Sequence, residues 1–265
     1  MCIRDREKQQ SNIENAAELF AQISTLLISS GANTRRTTRN VERFANALGY
    51  HCEMFFSFSA TILTVYKQND KQNRTIVKRI PHHGVNFNAI SDISILSWEA
   101  YEKKLPIEEI QKEIDIIAKK PHYNIYLVWL FVALAGGSLA YIFGGKNGSY
   151  IDFGVSFLAT FIGAVGRRIL QLRKFNLFIC WAWAAFVSVS VVNIFRFIGI
   201  EPLSNALAAC VLWLIPGVPL INGFIDLLTA HIVSGGAKLL YAMVLVFMIA
   251  VGFYISLFAF GYELL

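Results

Sequence analysis

The sequence predicts an α-helical polytopic membrane protein with five transmembrane helices, preceded by a small α+β cytoplasmic domain. Three observations carry that expectation. The 265-residue chain is 55% hydrophobic and 16% charged, with a mean hydropathy of +0.49. An ordinary soluble domain is about 45–50% apolar and about 25% charged, and a disordered chain is less apolar still. The charges are also unevenly spread, because residues 1–122 hold 17 of the 24 Lys+Arg and 14 of the 18 Asp+Glu. The remaining residues fall into long apolar runs of the length a bilayer demands, about 20 residues per helix. The expected division is therefore a cytoplasmic domain over 1–122 and a transmembrane domain over 123–265.

In the first part, Ser11 followed by Glu14 has the spacing of a capping box, and Ile13, Ala16, Ala17, Phe20, Ile23 and Leu27 recur at helical period. A helix is expected from Ser11 to a stop at Gly31, and Met1 to Arg6 is unlike it. A second helix carries Val41, Phe44, Ala45 and Leu48 on one face and stops near Gly49. Met54 to Tyr66 and Thr75 to Ile80 are β-branched and aromatic runs separated by a polar stretch, which reads as a hairpin. Two more helices are expected, over Ala89 to Lys103 and Pro106 to Lys119, the latter with Ile107, Ile110, Ile114 and Ile117 along one face. About 110 residues suffice for a core of their own.

Five spans are then expected: Asn124 to Phe143, Ile151 past Val165, Phe175 to Ile198, Leu203 to Leu228, and Leu239 to Gly261. Ala133, Gly136, Gly137 and Ala140 in the first, and Ala159 with Gly163 in the second, allow close helix packing. Residues 1–20 have no apolar core, so no signal peptide is expected. With the N-terminus cytoplasmic, inside connections carry Lys119, Lys120, Arg167, Arg168, Arg173, Lys174 and Lys238, and outside ends carry only Lys146 and Arg196. That asymmetry orients the chain in the cell inner membrane with its N-terminus inside.

Chemistry is concentrated in a few places. Pro216-Gly217-Val218-Pro219 interrupts the fourth apolar run, where two prolines around a glycine break a helix and free backbone groups. Asn222 and Asp226 follow on one helical face, with Thr229 continuing it. A carboxylate in an apolar stretch is either a transport group, such as a proton carrier, or an interfacial group that caps or pairs with Lys238. Ser234-Gly235-Gly236 is either a second break lining a pathway or the turn into the fifth span. Asp152 reads as a carboxylate at a helix N-terminus.

In the first part, the hydroxyls and guanidinium groups of Ser29 to Arg36, Thr34 and Arg36 among them, lie at a helix junction. They bind an anion there or simply cap the second helix. His82-His83 reads better as a solvated turn than as a metal site, and Cys2, Cys52, Cys180 and Cys210 have neither ligand nor disulfide spacing. No cofactor or metal is expected. The basic excess in the first part is diffuse, which argues against nucleic acid as a partner. No G-x-S-x-G elbow supports a hydrolase.

Several of these segments together resemble the threonine/serine exporter family. Leu27 to Arg36 fits its L-x-x-x-G-A-x-T-x-R opening, followed by Val41-Glu42-Arg43 and Ala47-Leu48-Gly49. Arg79-Ile80-Pro81 with Gly84-Val85-Asn86, Pro216-Gly217, Asp226 and Ser234-Gly235 extend the likeness to about residues 20 to 240. Lys238 stands where arginine is expected, and Ala230 where glycine is common. The fused members have roughly twice the five spans expected here, and the chain is similar to the larger subunit of the split version. The resemblance implies a non-enzymatic, proton-driven exporter of threonine, serine or a small acidic metabolite, assembled with a separate small membrane subunit. It also leaves open a membrane-anchored enzyme with a hydrolase-like cytoplasmic domain.

Overall fold

The computed structural model describes residues 3–67, 72–80, 84–120, 123–200 and 203–261. By contacts the chain divides into two compact units, residues 1–121 with 217–240, and residues 122–216 with 241–265. Gly217 to Leu240, expected in the transmembrane domain, thus groups with the first 121 residues.

The first unit opens with α1 (Ile3–Ser29) and α2 (Thr34–Ala47). The expected apolar stripe of α1 is the centre of the core: Ala16, Ala17, Phe20, Ile23 and Leu27 are all fully buried. Each large side chain so buried contributes about 1.5–3 kcal/mol. The helix begins eight residues before Ser11, so Ser11 is interior to it and the capping-box start is corrected. Gly31 ends α1 with φ +92°, and the Ala32 and Gly31 amides donate back to Leu27 and Ile28. This is the double-bonded helix stop that a left-handed residue makes possible.

Strands β1 (His51–Phe56), β2 (Ala60–Tyr66) and β3 (Asn73–Arg79) form an antiparallel meander in that order. The run expected as one long strand is therefore two, with Met54 opposite Leu63 and Phe56 opposite Thr61. Ser57 makes the turn by accepting from the Ala60 amide and donating to the Ala60 carbonyl, a role its neighbours' apolar character conceals. Leu63 and Val65 point into the core beside α1. Burial pushes the Cys52 thiol up to about 12, helped by Glu53 and Glu42. Helices α3 (Phe87–Lys103) and α4 (Ile107–Lys119) close the core with Ile90, Ile93, Ile110 and Ile114. Pro106 precedes α4 as its N-cap residue. Pro81, His82 and His83 lie outside the described residues. Among the described residues, no group of His, Cys, Asp and Glu has the arrangement of a metal site.

The second unit contains α5 (Ile125–Phe143), α6 (Tyr150–Leu172), α7 (Leu177–Phe197), the short α8 (Ser204–Ala209) and a 3-10 turn at Leu212–Leu214. Ala133, Gly136, Gly137 and Ala140 are the buried residues of α5, so its small-residue face is its packing face. A methyl on Gly137 would meet the Phe153 carbonyl of α6 at 2.8 Å, and one on Gly163 would collide with Ser188 of α7. These glycines are what let the backbones approach. Asp152, in the first turn of α6, is buried and accepts from Asn205 Nδ2 and the Ala206 amide at 3.2 and 3.3 Å.

The fourth apolar run is broken. After the 3-10 turn and Pro216, helix α9 (Gly217–Leu228) starts afresh, with Pro219 tolerated in its first turn. Helix α10 (Ile232–Ala259) is 28 residues long and begins seven residues before the expected fifth span. Ser234, Gly235 and Gly236 are therefore helical, neither a break nor a turn. Four helices, α5, α6, α7 and α10, are long and apolar enough to cross a membrane, and the broken pair makes five if it counts as one span.

Candidate functional site

The site is built at the N-terminus of α2. Asn33 caps that helix, its side chain accepting from the Arg36 amide at 2.7 Å. The amide of Thr34, in the first helical position, is one of the donors a helix start leaves without an internal partner. It donates to Asp226 Oδ1 at 2.9 Å. The helix junction thus both caps itself and holds an anion, and the anion is a carboxylate of the same chain.

Asp226 is fully buried, and its second oxygen is more crowded. Oδ2 lies 2.8 Å from Thr34 Oγ1, 3.1 Å from Ser234 Oγ and 2.6 Å from Lys238 Nζ. The Lys238 side chain is 9% exposed, so this is a buried ion pair. Thr34 Oγ1 and Ser234 Oγ also lie 3.0 Å apart. Two hydroxyl protons serve these three contacts among Thr34, Ser234 and Asp226, so one edge of the triangle holds no proton at any moment. The cluster has a proton arrangement that can shift without moving a heavy atom.

Local backbone geometry places these groups. On α9, Asn222 and Asp226 face the junction of α1 and α2, and Asn222 Nδ2 donates to the Gly31 carbonyl at 2.7 Å. Gly31 has little room for a side chain, since a methyl there would meet the Gly84 carbonyl at 3.0 Å and Val218 at 3.2 Å. Helices α9 and α10 approach through Gly223 and Gly235, where a methyl on Gly235 would lie 2.8 Å from the Gly223 carbonyl. Between them Ala230 takes φ +64°, while His231 and Ala230 donate back to Asp226 and Leu227. The stop that glycine makes at the end of α1 is made here by alanine. The left-handed backbone explains why a glycine would be favoured at that position.

Of the residues singled out from the sequence, Thr34, Asn222, Asp226 and Ser234 come together in this one unit. Gly217 opens α9, and Pro216 is buried at the break. Arg36 is exposed, and its amide rather than its guanidinium takes part in the junction. Beside the cluster lies a cleft of about 220 Å3, lined by Thr34, Met54, Phe56, Ala230, His231 and Ser234. His231 was not singled out from the sequence, although its place five residues after Asp226 is a signal. Gly223 is the other omission, visible only as a small residue between Asn222 and Phe224.

Residues 18–259 match the protein family described as "Putative threonine/serine exporter". The chain is 27% identical over 251 residues to a Klebsiella aerogenes protein named "Probable succinate transporter subunit YjjP", covering 94% of this chain and 93% of that one. It is 28% identical over 249 residues to the Escherichia coli K12 protein of the same name, covering 92% and 94%. No solved structure matches. With several apolar helices and a match over nearly its whole length, the chain is a multi-pass membrane protein and belongs to the threonine/serine exporter family.

Proposed function

We propose that this chain is the larger subunit of a two-component secondary exporter in the cell inner membrane. Its cargo is threonine, serine or a related small polar or acidic metabolite such as succinate, and the proton gradient drives it. The separate subunit is a small membrane protein. The subunit naming of both relatives and the family match support this reading. In it the N-terminus is cytoplasmic, the broken pair counts as the fourth of five spans, and the cleft by Ser234 is the cytoplasmic intake.

The observation that carries the coupling is the buried Asp226–Lys238 pair held by Thr34 and Ser234. Removing one charge from such a pair leaves the other uncompensated, at a cost of about 3–5 kcal/mol. A proton arriving on Asp226 would therefore favour arrangements in which Lys238 reaches water. Such a step opens the cluster, and loss of the proton closes it. Substrate at the cleft would compete for the same donors, Thr34 Oγ1, Ser234 Oγ and Lys238 Nζ, which ties cargo to proton. Pro216 and Gly217 supply the break that allows α9 to move.

Counterflow in proteoliposomes tests the proposal, with the chain alone and with its small partner, offering threonine, serine and succinate. Flux is expected only from the pair, and Asp226→Asn should abolish its dependence on an imposed pH gradient. Proton-dependent efflux that survives Asp226→Asn would remove this residue from the mechanism.

A further inference from the structure

A second cluster, in the second unit, has the opposite character: its nitrogen groups are all donors, and the Cys180 thiol near them is turned to the Phe175 carbonyl. Arg167 of α6 has its guanidinium carbon 5.1 Å from the centre of the Trp181 ring in α7 and 5.0 Å from the Trp213 ring in the 3-10 turn. These are cation–π distances, and they hold the guanidinium against the neighbouring elements. Its sequence neighbour Arg168 is exposed. The indole nitrogens of Trp181 and Trp213 are both buried without a hydrogen-bond partner.

Arg167 also has no carboxylate partner among the described residues. Asp152 is on the same helix but 15 residues earlier, about 22 Å along its axis, and is engaged by Asn205 and Ala206. Arg167 is half-buried, five residues before the end of α6, and the two buried indole donors lack an acceptor, so a ligand that supplies acceptors there is favoured. A guanidinium presents five N–H groups and two indoles present one each, so the complementary ligand is acceptor-only and anionic. A carboxylate fits, because its two oxygens match the guanidinium fork and have lone pairs left for the indoles.

We infer that Arg167, Trp181 and Trp213 form a binding site for the carboxylate of the transported metabolite. The inference rests on the transport reading above and deepens it. Succinate and threonine share this group, so the site sets a substrate class and not a single substrate. It is separate in sequence from the Asp226 cluster, which pairs its carboxylate with Lys238 and stands at the proposed intake cleft.

The test uses the full chain in nanodiscs of phosphatidylcholine, with succinate and threonine titrated by calorimetry and succinamide as the uncharged control. Saturable binding of at least one carboxylate, and none of succinamide, is expected. Arg167→Gln should weaken it roughly ten- to hundred-fold, as the loss of a charged hydrogen bond does. Arg167→Lys should recover only part, and Trp181→Phe and Trp213→Phe should each weaken it roughly five-fold. Thermal unfolding identifies any variant that has lost its fold, and the indole variants then carry the test. Unchanged affinity in folded Arg167→Gln overturns the site. So does a wild type that ignores both carboxylates and responds only when phosphatidylglycerol is added, because the ligand is then a lipid headgroup. Carboxylate binding without counterflow would sink the transport reading and leave the site standing. Undiminished counterflow in Arg167→Gln would do the reverse.

Discussion

At the scale of single residues, Asp226 and Lys238 serve the fold as well as the proposed mechanism, and substitutions separate the two roles. Asp226 accepts from an amide, two hydroxyls and an ammonium group, so its charge is fully compensated while Lys238 is in place. Asp226→Asn leaves the ammonium buried alone and should destabilise the first unit by about 3–5 kcal/mol. Replacing both, as Asp226→Leu with Lys238→Met, removes the uncompensated charge and should recover most of that loss, since buried pairs are often matched by apolar residues of similar volume. Thermal unfolding of the three proteins measures it. Stability recovered in the double variant without recovery of proton-dependent flux is the expected pattern. Flux restored together with stability would mean that the pair only holds the helices together.

At the scale of elements, the helix stops differ in quality. The end of α1 uses Gly31 at φ +92°, whereas α9 ends on Ala230 at φ +64°, a conformation that costs a side-chain-bearing residue about 1–2 kcal/mol. Ala230→Gly relieves that strain but adds freedom to the unfolded chain, so a net stabilisation of about 0.5–1 kcal/mol is expected. A raised denaturation midpoint with unchanged slope in urea would register it, and an unchanged midpoint would show that the strain is absorbed elsewhere. What could be read in advance follows the same physics of local pattern. The stripes of α1, α2 and α4 and the small-residue faces of α5 and α6 were legible because each repeats at helical period. The turn at Ser57 was not, because it has neither glycine nor proline, and the early starts of α1 and α10 lie where no cap residue marks them. Asp226 and Ser234 were recognisable as polar groups in apolar sequence. Their partner Thr34, 192 and 200 residues away, was legible only as part of a helix junction.

At the scale of the whole molecule, helix lengths decide where the charged cluster stands. Tyr241 to Ala259, the part of α10 in the second unit, is 19 residues or about 28 Å, close to the hydrocarbon thickness of about 30 Å. If those 19 residues are the part that crosses, the preceding ones, with Ser234 and Lys238 among them, are surplus to the span, which would lower the cost of an ion pair there. The halves of the broken run are each too short to cross alone: α8 with its 3-10 turn reaches about 16 Å and α9 about 18 Å. If they form one span, chain polarity alternates through α5, α6, α7, the broken pair and α10. Single cysteines at Lys146→Cys, Arg173→Cys, Ile198→Cys and His231→Cys, in a Cys2→Ser background, test that order in intact cells. The remaining native thiols should stay silent, since Cys180 and Cys210 are buried and Cys52 is pushed up to about 12. A membrane-impermeant maleimide should label positions 146 and 198 from outside, and positions 173 and 231 only after permeabilisation. Labelling of 198 and 231 from the same side would make the broken pair re-entrant and reduce the spans to four.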